Sequence, residues 1–173
     1  DNKIKGIKVF FTDVDGTLTD GCTYYSANGE EMKKFNHKDG RGNFLLRQLN
    51  IEFGIITGED SKIVERRAEK LKADYCFLGV SDKLSFLNSF CIDNKLSMKE
   101  IAFIGDDTND LDIIRNVGLS FAVSDSMPLI KKSADYICER KGGDGAFREA
   151  VDFIINSFVK IWRYLKTKNI NAI

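Results

Sequence analysis

The sequence predicts a doubly wound, three-layer α/β domain built on a mainly parallel sheet. Short runs of β-branched and aromatic residues alternate along the chain with longer segments in which apolar residues recur at helical spacing. Polar residues suited to chemistry follow the short runs, at the carboxyl ends of the predicted strands, where open α/β sheets bind ligands. At 173 residues the chain is most simply one domain with a substantial core.

The first predicted strand, residues 8–12, leads directly into Asp13 and Asp15. Side chains alternate along an extended segment, so these two carboxylates are expected to point the same way and to share one site. Neighbouring like charges disfavour joint ionisation, and a bound cation such as Mg2+ or a shared proton relieves that cost. A solvated Asp-Gly turn is the alternative for this short pattern taken alone.

Two extended segments, residues 22–25 and 30–35, surround an Asn28-Gly29 turn and predict a β-hairpin over about residues 20–36. This hairpin interrupts the alternation of strands and helices, so it is expected to project from the body of the domain. It could pair with another subunit, or it could be an ordinary surface hairpin. Both interpretations remain open at this point.

The middle of the chain is predicted to supply three helices and two strands. In order, they are a helix from Gly40, a strand at 52–56, a helix over 61–71 capped by Ser61, a strand at 75–78 and a helix over 83–94. Apolar residues at helical spacing define the inward faces of these helices, which are Phe44, Leu45, Leu49; Ile63, Val64, Leu71; and Leu84, Leu87, Cys91.

Candidate phosphate ligands stand at the ends of two of these strands. Thr57 and Gly58 follow the strand at 52–56, and a hydroxyl next to a glycine N–H can cradle a phosphate there. Lys83 opens a helix just after a strand, from where its ammonium could reach the same phosphate. Taken alone, Thr-Gly is ordinary turn chemistry and most lysines are solvated surface charges.

The strand at 101–104 ends in three carboxylates within five residues, Asp106, Asp107 and Asp110. A capping-box sequence at 97–100 precedes this strand. An acidic helix N-terminus is favourable to the helix dipole and accounts for one or two of the three carboxylates. The full cluster is hard to explain as packing.

The remainder of the chain continues the alternation. The predicted elements are a helix with Leu111, Ile114 and Val117 inward, a strand at 119–123, a helix from Pro128 to about Ala134, a strand at 136–138, a flexible glycine loop at 142–145, and a C-terminal helix and tail over about residues 146–173 with Val151, Ile154, Ile155 and Phe158 inward. Residues 167–173 are expected to fray.

The composition argues against several classes of protein. Lys+Arg and Asp+Glu balance at 26 each, so no bulk attraction to nucleic acid or to an anionic membrane is expected. The sequence has no apolar run of membrane-spanning length. Widely spaced cysteines without a CxxC pair disfavour zinc and disulfide scaffolds and favour buried, reduced thiols in a cytoplasmic protein; these cysteines are Cys22, Cys76, Cys91 and Cys138.

The chemistry-bearing residues occur in the order of four known motifs. DVDGTLT from Asp13, Thr57, Lys83 and IGDDTND around Asp106 resemble motifs I to IV of the haloacid dehalogenase superfamily of phosphotransferases. The resemblance implies that superfamily's Rossmann-like three-layer fold, with Asp13 as the nucleophile that forms an aspartyl-phosphate. It also implies that Asp15 is the acid that protonates the leaving oxygen and then the base that activates water.

The same resemblance implies roles for the other site residues. Mg2+ would be bound by Asp13, the backbone carbonyl of Asp15, and Asp106. Contacts to phosphate oxygens or to the rest of the substrate are implied for Thr57, Lys83, Val14 and Gly58. Supporting roles, in the water shell of the metal and in orienting the lysine, are implied for Asp107 and Asp110.

The spacing of the motifs leaves no room for a separate cap domain, which would need roughly 50 residues or more. Only a hairpin and a helix separate Asp15 from Thr57, and only one helix and one strand separate Thr57 from Lys83. The chain is therefore expected to be one capless domain over residues 1–173, with a site that is open in the monomer.

The lack of room for a cap domain, together with several further motifs, indicates one family within this superfamily. DVDGTLTDG with its hairpin, KDGRG at 38–42, ITGE at 56–59, SDK at 81–83 and GGDGAFRE at 142–149 resemble the 3-deoxy-D-manno-octulosonate 8-phosphate phosphatase family over nearly the whole chain. This resemblance implies homotetramers in which the hairpins form a central barrel and neighbouring subunits close each site. It also implies a small-molecule substrate, the phosphate monoester of a 3-deoxy-2-ulosonic acid sugar.

One residue departs from the octulosonate enzymes, which commonly carry Arg after ITG. Glu59 stands there instead, and with Arg67 and Lys70 it is more similar to the related 2-keto-3-deoxy-D-glycero-D-galacto-nononate 9-phosphate phosphatases. Arg67 and Lys70 are about one helical turn apart and could bind a sugar carboxylate, while Glu59 could accept hydrogen bonds from sugar hydroxyls. A surface ion-pair cluster is the alternative.

Two other functions remain open besides a phosphatase. Related domains fused to CMP-sialate synthetases act in assembly and have lost parts of these motifs, so the chain could be a non-catalytic oligomerisation module. A phospho-receiver domain also uses an aspartyl-phosphate and Mg2+. The intact motif residues argue against the first, and the second does not need the acid/base that Asp15 provides. The sequence therefore predicts a phosphatase.

Overall fold

Strands and helices alternate along the computed structural model, which describes residues 2–167. The strands are β1 (Val9–Thr12), β2 (Thr19–Ser26), β3 (Gly29–Phe35), β4 (Glu52–Ile56), β5 (Tyr75–Phe77), β6 (Ile101–Gly105), β7 (Leu119–Ala122) and β8 (Tyr136–Ile137). The α-helices are α1 (Asn2–Lys5), α2 (His37–Arg47), α3 (Lys62–Leu71), α4 (Lys83–Asp93), α5 (Leu111–Asn116), α6 (Pro128–Ser133) and α7 (Ala146–Thr167). Short 3-10 turns precede β6 and α5, at Met98–Glu100 and Thr108–Asp110. The predicted fraying of the tail concerns residues 167–173; Thr167 is the last residue of α7, and 168–173 lie outside the described residues.

Six strands form the central sheet in the order β5-β4-β1-β6-β7-β8, and every neighbouring pair is parallel. All four residues of β1 are buried, as expected for a strand covered on both faces. From β1 the chain adds β4 and β5 on one side of the sheet and then β6, β7 and β8 on the other. Where the direction of strand addition reverses in this way, a crevice opens beyond the carboxyl ends of the strands. The architecture confirms the predicted three-layer α/β fold.

Two hydrophobic clusters cover the two faces of the sheet. Phe10 and Phe11 are adjacent in β1 and therefore point to opposite faces. Phe10 packs against Phe147 of α7 with ring centroids 5.2 Å apart, and Phe11 packs edge-on against Phe90 of α4 at 5.3 Å. Each aromatic contact fixes one helical layer to β1, the strand that leads into the first site residues.

The segment between β1 and α2 forms a two-stranded antiparallel sheet, β2 with β3, separate from the central sheet. Its turn pairs Ser26 with Gly29, which confirms the hairpin predicted from Asn28-Gly29. The first strand is longer than predicted, since β2 already begins at Thr19. The hairpin leaves the central sheet with three large side chains mostly exposed, namely Tyr24, Tyr25 and Met32.

Helix α2 differs from the prediction in its start and in its buried face. It begins at His37 rather than at Gly40. The sequence predicts an inward Phe44, but this side chain is 47% exposed. Close packing against α7 explains the difference, because a Cβ at Gly42 would lie 2.7 Å from the Phe147 ring. The predicted Leu45 and Leu49 are partly buried and pack against the core. The fully buried residues of the helix are Asp39, Gly42, Asn43 and Leu46.

Local features of the other helices agree with the sequence in part. The capping box at Ser97 and Glu100 is present, and Pro128 occupies the first turn of α6. Ser61 stands at the N-cap of α3 but makes no capping hydrogen bond, because its hydroxyl bonds to Glu30 of the hairpin instead. The short helix α1 was not predicted.

The four cysteines are free thiols, but they are not all buried. Cys91 and Cys138 are buried as predicted, whereas Cys76 is half-buried and Cys22 is exposed. Cys22 is exposed because β2 lies outside the central sheet and its helical layers. None of the helices within residues 2–167 combines the length and hydrophobicity that crossing a bilayer requires.

Candidate active site

A cavity of about 380 Å³ opens beyond β1, β4 and β6. The carboxyl ends of parallel strands meet at one edge of a sheet, so residues far apart in the sequence come together here. The lining residues come from the turns after these three strands and from the start of the hairpin: Asp13, Asp15, Gly16, Gly21, Thr57, Gly58, Glu59, Asp106, Asp107, Thr108 and Asn109.

Asp13 lies in this cavity in a buried ion pair with Lys83. The backbone N–H of Asp13 donates to the carbonyl of Ile104 in β6 at 3.0 Å, which fixes its position after β1. Lys83, the first residue of α4, places Nζ 2.8 Å from Asp13 Oδ1 and 2.7 Å from Asp110 Oδ1. The second oxygen of Asp110 accepts a hydrogen bond from the backbone N–H of Asp106 at 3.1 Å. Asp110 thus fixes the ammonium beside Asp13.

The buried carboxyl groups of this cluster carry more negative charge than Lys83 can balance. Burial and the charge of Asp110 raise the pKa of Asp13 to about 7. Burial and the charges of Asp13 and Asp110 raise the pKa of Asp106 to about 8. Burial alone would lower the pKa of Lys83, but the two carboxylates outweigh it and the pKa rises, so the ammonium stays protonated. A divalent cation would supply the missing positive charge.

One oxygen from each of Asp13, Asp106 and Asp110 lies within 4.8 Å of the others, close enough to surround a single cation. Asp110 already has both oxygens engaged, one with Lys83 and one with a backbone N–H. Asp13 and Asp106 are therefore the carboxylates with oxygens to spare. Gly16 keeps this space open, since a Cβ there would lie 2.0 Å from Asp106 Oδ2. These all-oxygen donors fit a hard divalent cation such as Mg2+.

Asp15 lines the same cavity as Asp13 but has a different partner. The chain turns at Val14, whose carbonyl accepts a hydrogen bond from the N–H of Thr17 at 3.1 Å, so the alternation of an extended strand ends here. Asp15 Oδ1 lies 2.6 Å from Nζ of Lys33, a residue of β3. The two carboxylates therefore share one cavity, as predicted, and each is paired with its own lysine.

Several other predicted site residues also lie at this cavity. Thr57, Gly58 and Glu59 form the turn after β4, where the Thr57 hydroxyl accepts a hydrogen bond from the N–H of Glu59 at 3.3 Å. Asp107 lines the cavity and caps the short turn before α5. Val14 has its side chain in the core, so only its backbone can meet a ligand.

Arg67 and Lys70 are not among the described residues that line the cavity. The Nη2 of Arg67 donates to the carbonyl of Asn36 at 2.9 Å, and its guanidinium lies 5.0 Å from the centroid of the Phe35 ring. Lys70 is exposed. Glu59 thus lies at the cavity without the two cations that the sequence associates with it.

The glycine loop at 142–145 packs tightly against the turn that follows Asp15, although the sequence predicts a flexible loop. A Cβ at Gly142 would lie 1.8 Å from the carbonyl oxygen of Gly16. The N–H of Gly143 donates to the carbonyl of Thr17 at 3.0 Å. These glycines are needed for close approach of two backbones, and the doubled glycine was the signal for it.

Two further residues at the site, Lys33 and Thr17, were not predicted from the sequence. The Thr17 hydroxyl donates to Asp106 Oδ1 at 3.3 Å, so it joins the first and last motifs. Its place inside DVDGTLT was a usable signal. Lys33 carried no such signal, because a lysine in a polar hairpin is ordinarily a solvated charge.

Comparison with known proteins agrees with this geometry. A family model described as haloacid dehalogenase-like hydrolase matches residues 78–149. The chain is similar to the 3-deoxy-D-manno-octulosonate 8-phosphate phosphatase KdsC of Salmonella typhi, with 39% identity over 153 residues. That alignment covers 88% of this chain and 81% of the relative.

Solved structures give the same result. The 3-deoxy-D-manno-octulosonate 8-phosphate phosphatase of Moraxella catarrhalis, in complex with magnesium, phosphate and KDO, matches with a TM-score of 0.85 and 35% identity, covering 93% of this chain and 96% of that one. The cobalt-bound deoxy-D-mannose-octulosonate 8-phosphate phosphatase of Haemophilus influenzae matches with a TM-score of 0.85 and 38% identity, covering 89% and 90%. The chain therefore belongs to the 3-deoxy-D-manno-octulosonate 8-phosphate phosphatase family of haloacid dehalogenase-like hydrolases, and it is a phosphatase that hydrolyses phosphate monoesters.

Proposed function

We propose that this protein is a Mg2+-dependent phosphatase acting on a 3-deoxy-2-ulosonic acid phosphate, either 3-deoxy-D-manno-octulosonate 8-phosphate or a nonulosonate 9-phosphate. The observation that carries the proposal is the buried pair of Asp13 and Lys83, with Asp15 and Asp106 in the same cavity. Two-step phosphoryl transfer needs a nucleophile beside fixed positive charge and a separate acid/base, and this arrangement supplies them.

The reaction we propose has two steps, both carried by the paired aspartates. In the first, a carboxylate oxygen of Asp13 attacks phosphorus, the bond from phosphorus to the sugar oxygen breaks, and Asp15 gives its proton to that oxygen. In the second, Asp15 takes a proton from water, whose oxygen attacks the phosphorus of the aspartyl-phosphate. Inorganic phosphate leaves and the Asp13 carboxylate is restored. Lys83 and Thr57 bind phosphate oxygens in both steps.

We assign the cation site to Asp13, Asp106 and the backbone carbonyl of Asp15, with Asp107 supporting bound water. Mg2+ held by these residues would neutralise negative charge on the phosphoryl group during transfer. The pKa values of about 7 for Asp13 and about 8 for Asp106, raised chiefly by burial, support the assignment because they indicate a need for positive charge. Magnesium-bound and cobalt-bound relatives support it as well.

Substrate selection is assigned to the residues that border the cavity. Glu59 accepts hydrogen bonds from sugar hydroxyls, and the backbone at Val14 and Gly58 meets the substrate. Arg67 and Lys70 bind the sugar carboxylate in a homotetramer, in which neighbouring subunits close each site. The exposed apolar side chains of the hairpin, which would be covered in such an assembly, support this part of the proposal.

The proposed enzyme is a single capless domain over residues 1–173. Only the hairpin, α2 and β4 lie between Asp15 and Thr57, and only α3 and β5 lie between Thr57 and Lys83. We assign it to the cytoplasm, because its four cysteines are free thiols, which a reducing compartment maintains.

The test is phosphate release from 3-deoxy-D-manno-octulosonate 8-phosphate and from 2-keto-3-deoxynononate 9-phosphate, side by side, with and without Mg2+. We expect Mg2+-dependent release with a clear preference for one substrate. The Asp13→Asn variant serves as the blank, because an amide cannot form the aspartyl-phosphate. A folded protein that released phosphate from neither substrate would contradict the proposal and favour a non-catalytic oligomerisation module.

A further inference from the structure

Lys33 of β3 connects the hairpin to the acid/base of the cavity. Its Nζ lies 2.6 Å from Asp15 Oδ1, 3.2 Å from Glu30 Oε2 and 3.2 Å from Glu59 Oε2. The Lys33 side chain has no exposed surface, although it belongs to a strand outside the central sheet. One ammonium therefore lies among three carboxylates at the border of the cavity.

The pleat of β3 explains how a hairpin residue reaches the site. Neighbouring side chains point to opposite faces of a strand, and Met32 is 60% exposed while Lys33 is enclosed. The hydroxyl of Ser61, just before α3, bonds to Glu30, a second hairpin residue in contact with Lys33. Polar contacts thus fix the inner face of the hairpin over the cavity.

Lys33 bonds to only one of the two carboxylate oxygens of Asp15, so the other oxygen is not engaged by this lysine. Oδ1 accepts the hydrogen bond from Lys33, whereas Oδ2 is buried and has no hydrogen-bond partner among residues 2–167. A group that donates and then accepts a proton needs such an oxygen, fixed in orientation and not already engaged. If Lys33 were removed, Asp15, Glu30 and Glu59 would repel one another and Asp15 would lose its shortest contact.

We propose that Lys33 is a positioning residue of the phosphatase reaction, which orients Asp15 for proton transfer without touching the substrate. This inference rests on the proposed function, because Lys33 acts through the acid/base of that reaction. It makes the hairpin a part of the catalytic unit, since β3 carries the residue that holds Asp15.

The test is a double-mutant cycle, measured as Mg2+-dependent phosphate release from the preferred sugar-acid phosphate. Lys33→Met keeps the length of the side chain and removes its charge. We expect kcat to fall about 10- to 100-fold while KM changes less than about threefold, because misplacing a reacting group lowers the rate rather than the affinity. In an Asp15→Asn background, the same change is expected to lower kcat less than about twofold, since the group that Lys33 orients is already gone.

Lys34→Met is the matched control. Lys34 is the next residue of β3, is exposed and pairs with Asp20 at 3.2 Å, so its loss is expected to leave kcat unchanged. Lys33→Arg keeps the charge and is expected to restore most of the rate lost in Lys33→Met. If the Lys33→Met variant does not fold, Lys33→Gln takes its place in the double-mutant cycle.

Two results would overturn the inference. One is an unchanged kcat in Lys33→Met, and the other is an equal loss of kcat in the wild-type and Asp15→Asn backgrounds, which would mean that Lys33 acts independently of Asp15. An inactive wild-type protein would be a different outcome. It would overturn the proposed function, and the role of Lys33 with it, before any variant is compared.

Discussion

The floor of the cavity and its border are built from different parts of the chain. The floor is the cluster of Asp13, Lys83, Asp106 and Asp110, which follows the central strands and is largely buried. The border is the group of Asp15, Lys33, Glu30 and Glu59, which joins the hairpin to the turns after β1 and β4, and the Glu59 side chain is 52% exposed. The floor is complete within one central sheet, whereas the border depends on where the hairpin packs. The proposed nucleophile and cation site therefore belong to the central sheet, whereas the proposed acid/base Asp15 is held by a lysine of the hairpin.

The largest expected effect comes from replacing Asp13, the proposed nucleophile, in the floor. Asp13→Asn is expected to lower kcat at least about 10³-fold, because the amide cannot form the aspartyl-phosphate. Thermal unfolding is expected to stay at or above the wild-type Tm, since the change removes a buried charge whose pKa is raised to about 7 by burial. Retained turnover in a phosphate-release assay would contradict the assignment of Asp13.

The lysines of the floor and the border are expected to differ in their effect on stability. Lys83→Met leaves Asp13 and Asp110 buried without a cation and is expected to lower the free energy of unfolding by about 3 kcal/mol at pH 8. Lys33→Met is expected to cost about 1 kcal/mol or less, because Asp15 and Glu59 keep contact with water. Urea denaturation without metal measures both values, and equal losses would contradict the distinction.

The cost of Lys83→Met is also expected to depend on pH. Burial raises the pKa of Asp13 to about 7, above its ordinary 3.8, so the folded protein binds a proton between these values that the unfolded chain does not. Stability therefore rises as pH falls from 8 towards 5. Over that range the destabilisation by Lys83→Met is expected to shrink, because protonated Asp13 no longer needs a cation, and a constant difference would contradict this.

At the border, Glu59→Arg is expected to change substrate preference rather than turnover. The relative kcat/KM for the octulosonate 8-phosphate and the nonulosonate 9-phosphate is expected to shift by about tenfold, because a hydrogen-bond acceptor at the cavity becomes a cation. Glu69→Arg, an exposed change of the same kind on α3, is the control. Unchanged relative kcat/KM values would exclude Glu59 from substrate selection.

The smallest effect on activity is expected away from both regions, at Asp39 of α2. This carboxyl is buried, which raises its pKa to about 6, although it accepts a hydrogen bond from the Arg148 N–H at 3.0 Å. Ionisation of Asp39 therefore lowers the free energy of unfolding as pH rises from 4 through 6. Asp39→Asn keeps an acceptor for Arg148 and removes the charge, so its stability relative to wild type is expected to rise by about 1 to 3 kcal/mol between pH 4 and pH 7.5, with kcat unchanged. Urea denaturation at both pH values checks this, and a pH-independent difference would contradict it.

The central sheet and much of the floor could be predicted because the residues that indicate them are neighbours in the sequence. Each buried run is followed directly by its polar residue, so Asp13, Thr57 and Asp106 could be placed at strand ends from the sequence. The meeting of Lys83 with Asp13 needed either the family resemblance or the structure, because the helix α4 carries it from elsewhere in the chain. The structure adds that Asp110 contacts this lysine through Oδ1 while its Oδ2 accepts a hydrogen bond from the backbone N–H of Asp106.

The border could not be predicted because it depends on contacts between elements. Lys33 stands in a polar strand, and only the packing of the hairpin decides that it turns inward while Met32 turns outward. The same kind of non-local contact explains the wrong prediction for Phe44, since the close approach of α2 to α7 at Gly42 sets which face of the helix is buried. Residue type and spacing do not determine the angle at which two helices or strands pack against each other.

The hydrogen bond between Gly143 and the turn that follows Asp15 has a consequence for the synthesis of this protein on the ribosome. The N–H of Gly143 donates to the carbonyl of Thr17, so the turn that carries Asp15 receives a hydrogen bond from a residue near the other end of the chain. Strands β1 to β8 all precede Gly143 in the chain, so a nascent polypeptide has made each of them before this glycine is added. Because this hydrogen bond cannot form before Gly143 is made, proteolytic fragments that end before Gly143 are expected to release no phosphate in the same assay.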